Sequence, residues 1–224
     1  MEYINDKKLL GKYFDEYGLD ELLTPKARDM AEMVRFSPGE EILSTDETLE
    51  SYYIFVEGRL KVYSIQENGR YLLLKFYSGF DTLGDIELIS GMKISSTVVA
   101  VKESILIRIP AARLKALVYN HPPFLRYSVE NLGKKLHDLS KHSAHNLLYP
   151  LRNRLASFIY VQLEDSELVM PDKLVDVAEY LGTTYRHLSR ELNSLEREGV
   201  VCRKGRRIKV LDRSKLEELA GNIY

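Results

Sequence analysis

Lys173-Leu174-Val175-Asp176-Val177-Ala178-Glu179-Tyr180-Leu181-Gly182-Thr183-Thr184-Tyr185-Arg186-His187-Leu188-Ser189-Arg190-Glu191-Leu192 decides how this chain is read. Leu174, Val177 and Leu181 give a first helix one apolar stripe, and Ala178 is small enough to let a second helix cross closely. Gly182 permits a tight turn, because a positive φ meets no side-chain clash there. Thr183 or Thr184 can cap the second helix by accepting its free amide protons. Leu188, Leu192 and Leu195 then recur at i, i+4 and i+7 and face a core, while Tyr185, Arg186, Ser189, Arg190 and Asn193 share the opposite face. Two short helices crossed in this way place the second against base edges in a major groove. Arg is the side chain best shaped to grip guanine O6 and N7 with two hydrogen bonds. The plainer alternative is a solvated face, on which Glu and Lys would be expected instead.

The segment that follows narrows the choice. Val200-Val201-Cys202 and Ile208-Lys209-Val210-Leu211 flank a turn expected at Lys204-Gly205, with Arg203, Lys204, Arg206 and Arg207 around its tip. Cations on such a wing suit flanking phosphates. From Arg186 to Lys209 there are eight Lys or Arg against three Glu, although the whole chain carries a formal charge of −1. Phosphate attraction is set locally, since salt screens charges beyond about 10 Å. The near-neutral total therefore does not exclude DNA.

At 224 residues, with 45% apolar and 29% charged content, the chain can form one large domain or two small ones. No run approaches the roughly 20 apolar residues of a membrane helix, and Met1-Glu2-Tyr3-Ile4-Asn5-Asp6 has no signal-peptide character. No membrane partner is expected. One cysteine, Cys202, excludes an intramolecular disulfide and any four-thiolate cluster within one chain. A reducing cytoplasm is the expected setting.

Residues 5–32 show helical spacing broken near Gly18 and Pro25, read as two short helices. Between Val34 and Pro110 the texture becomes β-rich. Runs at Tyr52–Val56, Leu60–Ile65, Tyr71–Tyr77, Thr97–Val101 and Ile105–Ile109 are separated by Gly58, Asn68-Gly69, Gly79, Gly84 and Gly91. Such regular strands predict an antiparallel barrel or roll. A short helix over Ala111–Tyr119, a His121-Pro122-Pro123 break and a long helix follow. In the long helix Leu125, Val129, Leu132, Leu136 and Leu139 recur at steps of 4, 3, 4 and 3, the narrow seam of a two-chain coiled coil. A helix packed on its own barrel is the alternative. Tyr149-Pro150 marks a boundary, followed by a helix over Leu151–Leu163 and an acidic loop, Glu164-Asp165-Ser166-Glu167.

From about residue 30 onward the chain resembles the Crp/Fnr family of bacterial transcription regulators. The resemblance rests on Phe36-Ser37-Pro38-Gly39-Glu40, Tyr52-Tyr53-Ile54-Phe55-Val56-Glu57-Gly58, Leu83-Gly84-Asp85-Ile86-Glu87-Leu88, Arg154-Leu155-Ala156, and Gly182-x-Thr184 followed by Ser189-Arg190. Tyr185-Arg186-His187-Leu188 resembles the YeiL-like branch. The resemblance implies an α+β fold: an N-terminal antiparallel, jelly-roll-like β-roll with flanking helices, a long dimerisation helix and a C-terminal winged helix-turn-helix. Expected domains are a sensor roll over 1–120, the dimerisation helix and hinge over 121–148, and the DNA-binding unit over 149–224. Double-stranded DNA with a palindromic site, a second copy of the chain and RNA polymerase are the implied partners. Expected DNA contacts are Thr184, Tyr185, Arg186, Ser189, Arg190, Asn193, Arg203, Lys204 and Arg206. Fnr-like members read their half-site with Glu-x-x-Ser-Arg; here Arg186 stands where that Glu would be, so the usual half-site is not expected.

The resemblance also places an effector pocket at Gly84, Asp85, Ser95 and Ser96. Gly84 would free backbone amides toward an anion, and Asp85 could accept a ribose hydroxyl. The Arg that neutralises a cyclic phosphate in the family is replaced by Ile94, and Lys93 lacks the bidentate fork. Neither cAMP nor cGMP in its usual mode is therefore expected, and no cofactor is. Cys202 reads as a buried strand residue. His142 and His145, three apart, read as solvated rather than as half of a metal site shared across a dimer. A cupin-like metal enzyme would need histidines on the roll, yet all five (121, 137, 142, 145 and 187) come after it. With no nucleophile–base set evident either, neither catalytic activity nor a metal is expected. A cyclic-nucleotide-regulated module without DNA binding would leave residues 170–211 without a purpose.

Overall fold

The computed structural model describes residues 1–65, 71–163, 167–169 and 173–221, which form two compact units, 1–137 and 138–224. The Asn68-Gly69 turn and the first three residues of the expected acidic loop lie outside the described residues.

In the first unit, β1 (Glu2–Ile4) precedes α1 (Lys7–Glu16), α2 (Leu19–Leu22) and α3 (Pro25–Arg28). Sequence reasoning expected two helices here. Three form because Asp6 caps the first, Gly18 takes a left-handed conformation before the second, and Thr24 with Pro25 at N1 starts the third. The strands β2 (Glu32–Phe36), β3 (Glu41–Leu43), β4 (Ser51–Glu57), β5 (Leu60–Ile65), β6 (Tyr71–Tyr77) and β7 (Asp81–Leu83) lead to α4 (Asp85–Ser90). Next come β8 (Thr97–Ala100), β9 (Ser104–Pro110) and α5 (Ala111–Val118). All pairings are antiparallel, giving a five-stranded sheet ordered β1-β2-β9-β4-β7 and a four-stranded sheet ordered β3-β8-β5-β6.

The continuous apolar run of β4 follows from being covered on both sides. Tyr52, Ile54 and Val56 pack among α1, α5 and their neighbours, while Tyr53 and Phe55 point the other way, into the space between the two sheets. Strand β9 divides likewise, Ile107 and Ile109 on the helical side and Leu106 inside the roll. Ile54, Phe55, Leu106, Ile107 and Ile109 are fully buried, each worth roughly 1.5–3 kcal/mol.

Helix α6 (Pro122–Leu148) runs 27 residues, about 40 Å at 1.5 Å per residue. Phe124 and Ser128 face the roll core and are buried. Of the seam, Leu125, Val129, Leu136 and Leu139 are 37, 70, 66 and 43% exposed, and Leu132 is half-buried. Leu125, Val129, Leu136 and Leu139 are thus left largely open, whereas Leu132 lines a cavity of the roll.

The second unit contains the end of α6, α7 (Leu151–Val161), β10 (Glu167–Val169), α8 (Leu174–Tyr180), α9 (Tyr185–Arg197), β11 (Val201–Lys204), β12 (Arg207–Val210) and α10 (Arg213–Ala220). Its sheet is ordered β10-β12-β11. Glu167, read as loop, begins β10 and pairs with Lys209. Leu155, Ile159, Val177, Leu181, Leu188, Leu192, Leu195, Ile208 and Leu216 form one core.

Candidate functional site

Helix α9 starts where Thr184 caps it, the side chain accepting from His187 N at 3.3 Å. Leu188, Leu192 and Leu195 are 0, 1 and 0% exposed, so one face is wholly spent on the core. Tyr185, Arg186, Ser189, Arg190 and Asn193 line one open recess on the other face, joined by Glu196 and Arg197. Tyr185 is 51% exposed. Neither Arg186 nor Arg190 has an ion-pair partner among the described residues, so both guanidinium groups can meet an outside acceptor.

The wing departs from its sequence reading in three ways. Its turn is Gly205-Arg206 rather than Lys204-Gly205, closed by the Lys204↔Arg207 pair, with Gly205 at φ 62°. This two-residue loop, with its left-handed glycine, suits the strand twist. Arg203 pairs with Ile208 and so shares the inward face with it; it is half-buried, whereas Lys204, Arg207 and Lys209 are exposed on the other face. Cys202, expected buried, is half-buried opposite Lys209. Sequence reasoning missed Glu196, whose Oε1 accepts from Arg203 N at 2.8 Å and ties the end of α9 to the first wing strand. Nothing in the local pattern signals that bond, since it spans the turn at Gly199.

The α8–α9 turn is held from two sides. Gly182 has φ 61°, and a Cβ there would press to 3.4 Å from Arg154 Nη1. That guanidinium donates to Leu181 O, while Asn146 Nδ2 donates to Tyr180 O at 3.0 Å. His142 Nε2 lies 2.9 Å from the same carbonyl, and its ring stacks on Tyr180 at 4.1 Å. His145 is 4% exposed and packs against Tyr149. The two histidines are therefore not solvated: His142 packs on the end of α8 and His145 is buried beside Tyr149. Among the described residues, no group of three or more His, Cys, Asp or Glu gathers as a metal site.

Burial pushes the His145 imidazole down to about 4, with the charges of His142, Arg154 and Lys141 acting the same way. A histidine held neutral in the native state and titrating near 6.5 when unfolded binds more protons unfolded between those pH values. Its contribution is thus intact above pH 6.5 and fades as pH falls toward 4. Urea titrations at pH 7.5 and pH 5 should differ by on the order of 2 kcal/mol from this group. His145→Phe should shrink that difference; an unchanged pH dependence would refute the assignment.

A second site lies in the roll. Gly84, Asp85, Ser95 and Ser96 line one cavity of about 120 Å³, together with Tyr77, Thr82, Glu87, Leu132 and Lys135 among others. Gly84 has φ 88° and a Cβ there would meet Leu49 at 2.7 Å, so this turn requires glycine. Ile94 is buried in the roll core, and Lys93 is exposed and does not line the cavity. Asp85 is not presented as a ribose acceptor through both oxygens: its Oδ2 receives Lys135 Nζ at 2.7 Å and Asn131 Nδ2 at 3.2 Å. Burial raises the Asp85 carboxyl and Lys135 opposes this; for Lys135, burial disfavours the charge but Asp85 more than restores it, leaving the ammonium raised. Geometrically the two form a close ion pair. No local pattern points to Lys135, which comes 50 positions after its partner.

Residues 33–121 match the family model of the cyclic nucleotide-binding domain and residues 153–219 that of the Crp-like helix-turn-helix domain. The regulatory protein YeiL of Escherichia coli O157:H7 is 30% identical over 168 residues, 75% of this chain and 76% of that one. The chain belongs to the Crp/Fnr family of DNA-binding transcription regulators. A further family relative, the fumarate and nitrate reduction regulatory protein of Vibrio cholerae, is 27% identical over 194 residues, covering 82% of this chain and 76% of its own. The structure of FixK2 from Bradyrhizobium japonicum shares the Crp/Fnr fold at TM-score 0.74 with 22% identity, covering 85% of this chain and 98% of that one. No helix among the described residues is long and apolar enough to cross a membrane.

Proposed function

We propose that two copies of this chain pair along Leu125, Val129, Leu132, Leu136 and Leu139 and bind a palindromic DNA site in the cytoplasm as a sequence-specific regulator. The observation that carries this is the division of α9: three leucines wholly buried on one side, and Arg186, Ser189, Arg190 and Asn193 gathered on the other. Arg186 and Arg190 supply bidentate donors for guanine, Asn193 suits adenine, and Thr184, Tyr185 and Ser189 suit backbone or base-edge contacts. Lys204 and Arg206 take flanking phosphates, with Arg203 contributing from the inner side of the wing. Because Arg186 stands where Fnr-like members carry Glu, the half-site differs from theirs. The paired stalk sets the two α9 helices about one DNA turn, roughly 34 Å, apart.

Residues 1–120 act as the sensor, 121–148 as stalk and hinge, and 149–224 as the DNA-binding domain. The sensor does not take cAMP in the family's usual way, and the chain is not an enzyme. RNA polymerase is the partner through which such a regulator would act.

Selection of genomic duplexes by the purified protein should return a two-fold symmetric site; enrichment no better than random competitor refutes the reading. Within that assay Arg190→Ala should cost about 1–3 kcal/mol on the selected site and relax preference at one position per half-site. Lys204→Ala should weaken all sequences evenly and flatten the salt dependence by about one unit. Even weakening by Arg190→Ala would reassign it to phosphate.

A further inference from the structure

The arginine-bearing face of α9 contains one residue of the opposite sign. Glu196 lines the recess with Arg186, Arg190 and Arg197, where a negative charge repels the phosphates that the arginines attract. Its partner lies within the chain: Oε1 accepts from Arg203 N at 2.8 Å. Strand β11 is an outer strand of its sheet, with β12 on one side. Lys204 and Arg207 close the two-residue loop, and in such a hairpin the closing pair exchanges hydrogen bonds. The alternation of an antiparallel ladder then turns Arg203 N away from β12. Glu196 meets that outward amide. The base of the wing is set by the core, with Val201 and Ile208 wholly buried, whereas residues 204–207 are exposed. Glu196 thus grips the wing at the boundary between its packed base and its exposed tip, one residue short of Lys204.

We propose that Glu196 is a positioning residue for DNA binding: it sets the direction of the wing so that Lys204 and Arg206 meet phosphates while α9 lies in the groove. The N-terminal residues of a recognition helix contact base edges. Glu196, in the last turn of α9 and about 9 Å along the helix beyond Arg190, stands clear of that row. Its one bond instead joins the base-reading element to the phosphate-gripping one. Without it the tip keeps its charges but takes directions in which they do not all reach phosphate. The loss then falls on the salt-dependent part of binding and leaves base preference in place. A carboxamide oxygen at this position can accept the same N–H, so the role belongs to the acceptor and not to the charge. This role rests on the reading of α9 and the wing as the DNA-facing surface.

The test compares Glu196→Ala with Glu196→Gln in the full-length protein, on a random-sequence duplex over a series of salt concentrations. Both variants remove the same charge, so any gain from relieving repulsion cancels between them, and only Gln keeps an acceptor for Arg203 N. Alanine favours the helix at this half-buried position, so the fold is retained. Glu196→Ala should bind about tenfold more weakly than Glu196→Gln, with a salt dependence flatter by about one to two units. In the free protein, amide exchange at Arg203 should quicken at least about tenfold in Glu196→Ala and stay near its original rate in Glu196→Gln. Lys204→Ala should cost less in the Glu196→Ala background than in the unaltered protein, because the tip is already misdirected. Equal affinity and equal salt dependence of the two variants overturn the proposal, as does a full Lys204→Ala penalty in the Glu196→Ala background. So does a Glu196→Ala loss that relaxes base preference and leaves the salt dependence unaltered, which would put Glu196 among the base readers. The phosphate grip is independent of sequence, so failure to select a palindrome leaves this comparison standing. An unaltered protein that binds no duplex defeats the DNA-binding reading and this role with it.

Discussion

Leu136→Glu should leave each chain folded but turn the protein into a monomer that has lost its grip on a palindromic site. Leu136 is 66% exposed, so its removal takes nothing from the roll core, and Glu is as good a helix former as Leu. Monomer stability should change by no more than about 0.5 kcal/mol. In the proposed dimer, however, the side chain meets its counterpart across a narrow apolar seam. Two carboxylates brought together there must be stripped of water beside a like charge, which costs several kcal/mol. Once the chains part, the second half-site no longer adds its binding to the first. Affinity for the full site should then drop by at least about a hundredfold, while binding to a single half-site persists. Light scattering reads the first effect and duplex titration the second. A persistent dimer would show that the pairing runs elsewhere, and undiminished affinity would show that pairing is not what serves the palindrome.

Arg154→Ala should strongly destabilise the unit of residues 138–224. Arg154 is 9% exposed and lowered in basicity by burial, and it donates into the end of α8 at Leu181 O. Deleting it orphans that carbonyl at a helix C-terminus and leaves a void against Gly182, costing about 3 kcal/mol together. For a unit of this size the midpoint of thermal unfolding should fall by roughly 10–20 °C. Arg154→Met fills most of the space but cannot donate, so it should recover the packing part of the loss alone. A loss below about 1 kcal/mol in the alanine variant would mean water replaces the guanidinium at no cost. DNA binding should weaken in both variants even where the fold survives, because the turn that aims α9 has lost its brace.

Elements with a long, one-sided pattern were legible directly. Thirteen residues of α9 repeat their leucines at helical spacing, so both the buried face and the open, arginine-bearing face follow from the chain itself. The strands missed, β1, β2, β3, β7 and β10, are three to five residues long. An alternation cannot be told from chance over so few positions. They form because a neighbouring strand presents unpaired amides and carbonyls, as β9 does for β2. The N-terminal helices were miscounted for a related reason: Thr24-Pro25 reads as a break as readily as a start, and only its cap bond to Ala27 N decides.

What the order of residues determined alone is therefore local: a helix with arginines on one side and leucines on the other, an apolar repeat every three and four positions along α6, and strands long enough to alternate. These follow from backbone periodicity, which needs no distant partner. What only the folded chain decided is polar and long-range. Lys135 reaches Asp85 across 50 positions, Arg154 reaches Leu181 across 27, folding buries His145, and strand register turns Arg203 inward. Charged and hydrogen-bonding groups acquire their roles from whichever backbone or counter-charge packing sets beside them. No periodicity within either segment encodes that neighbour.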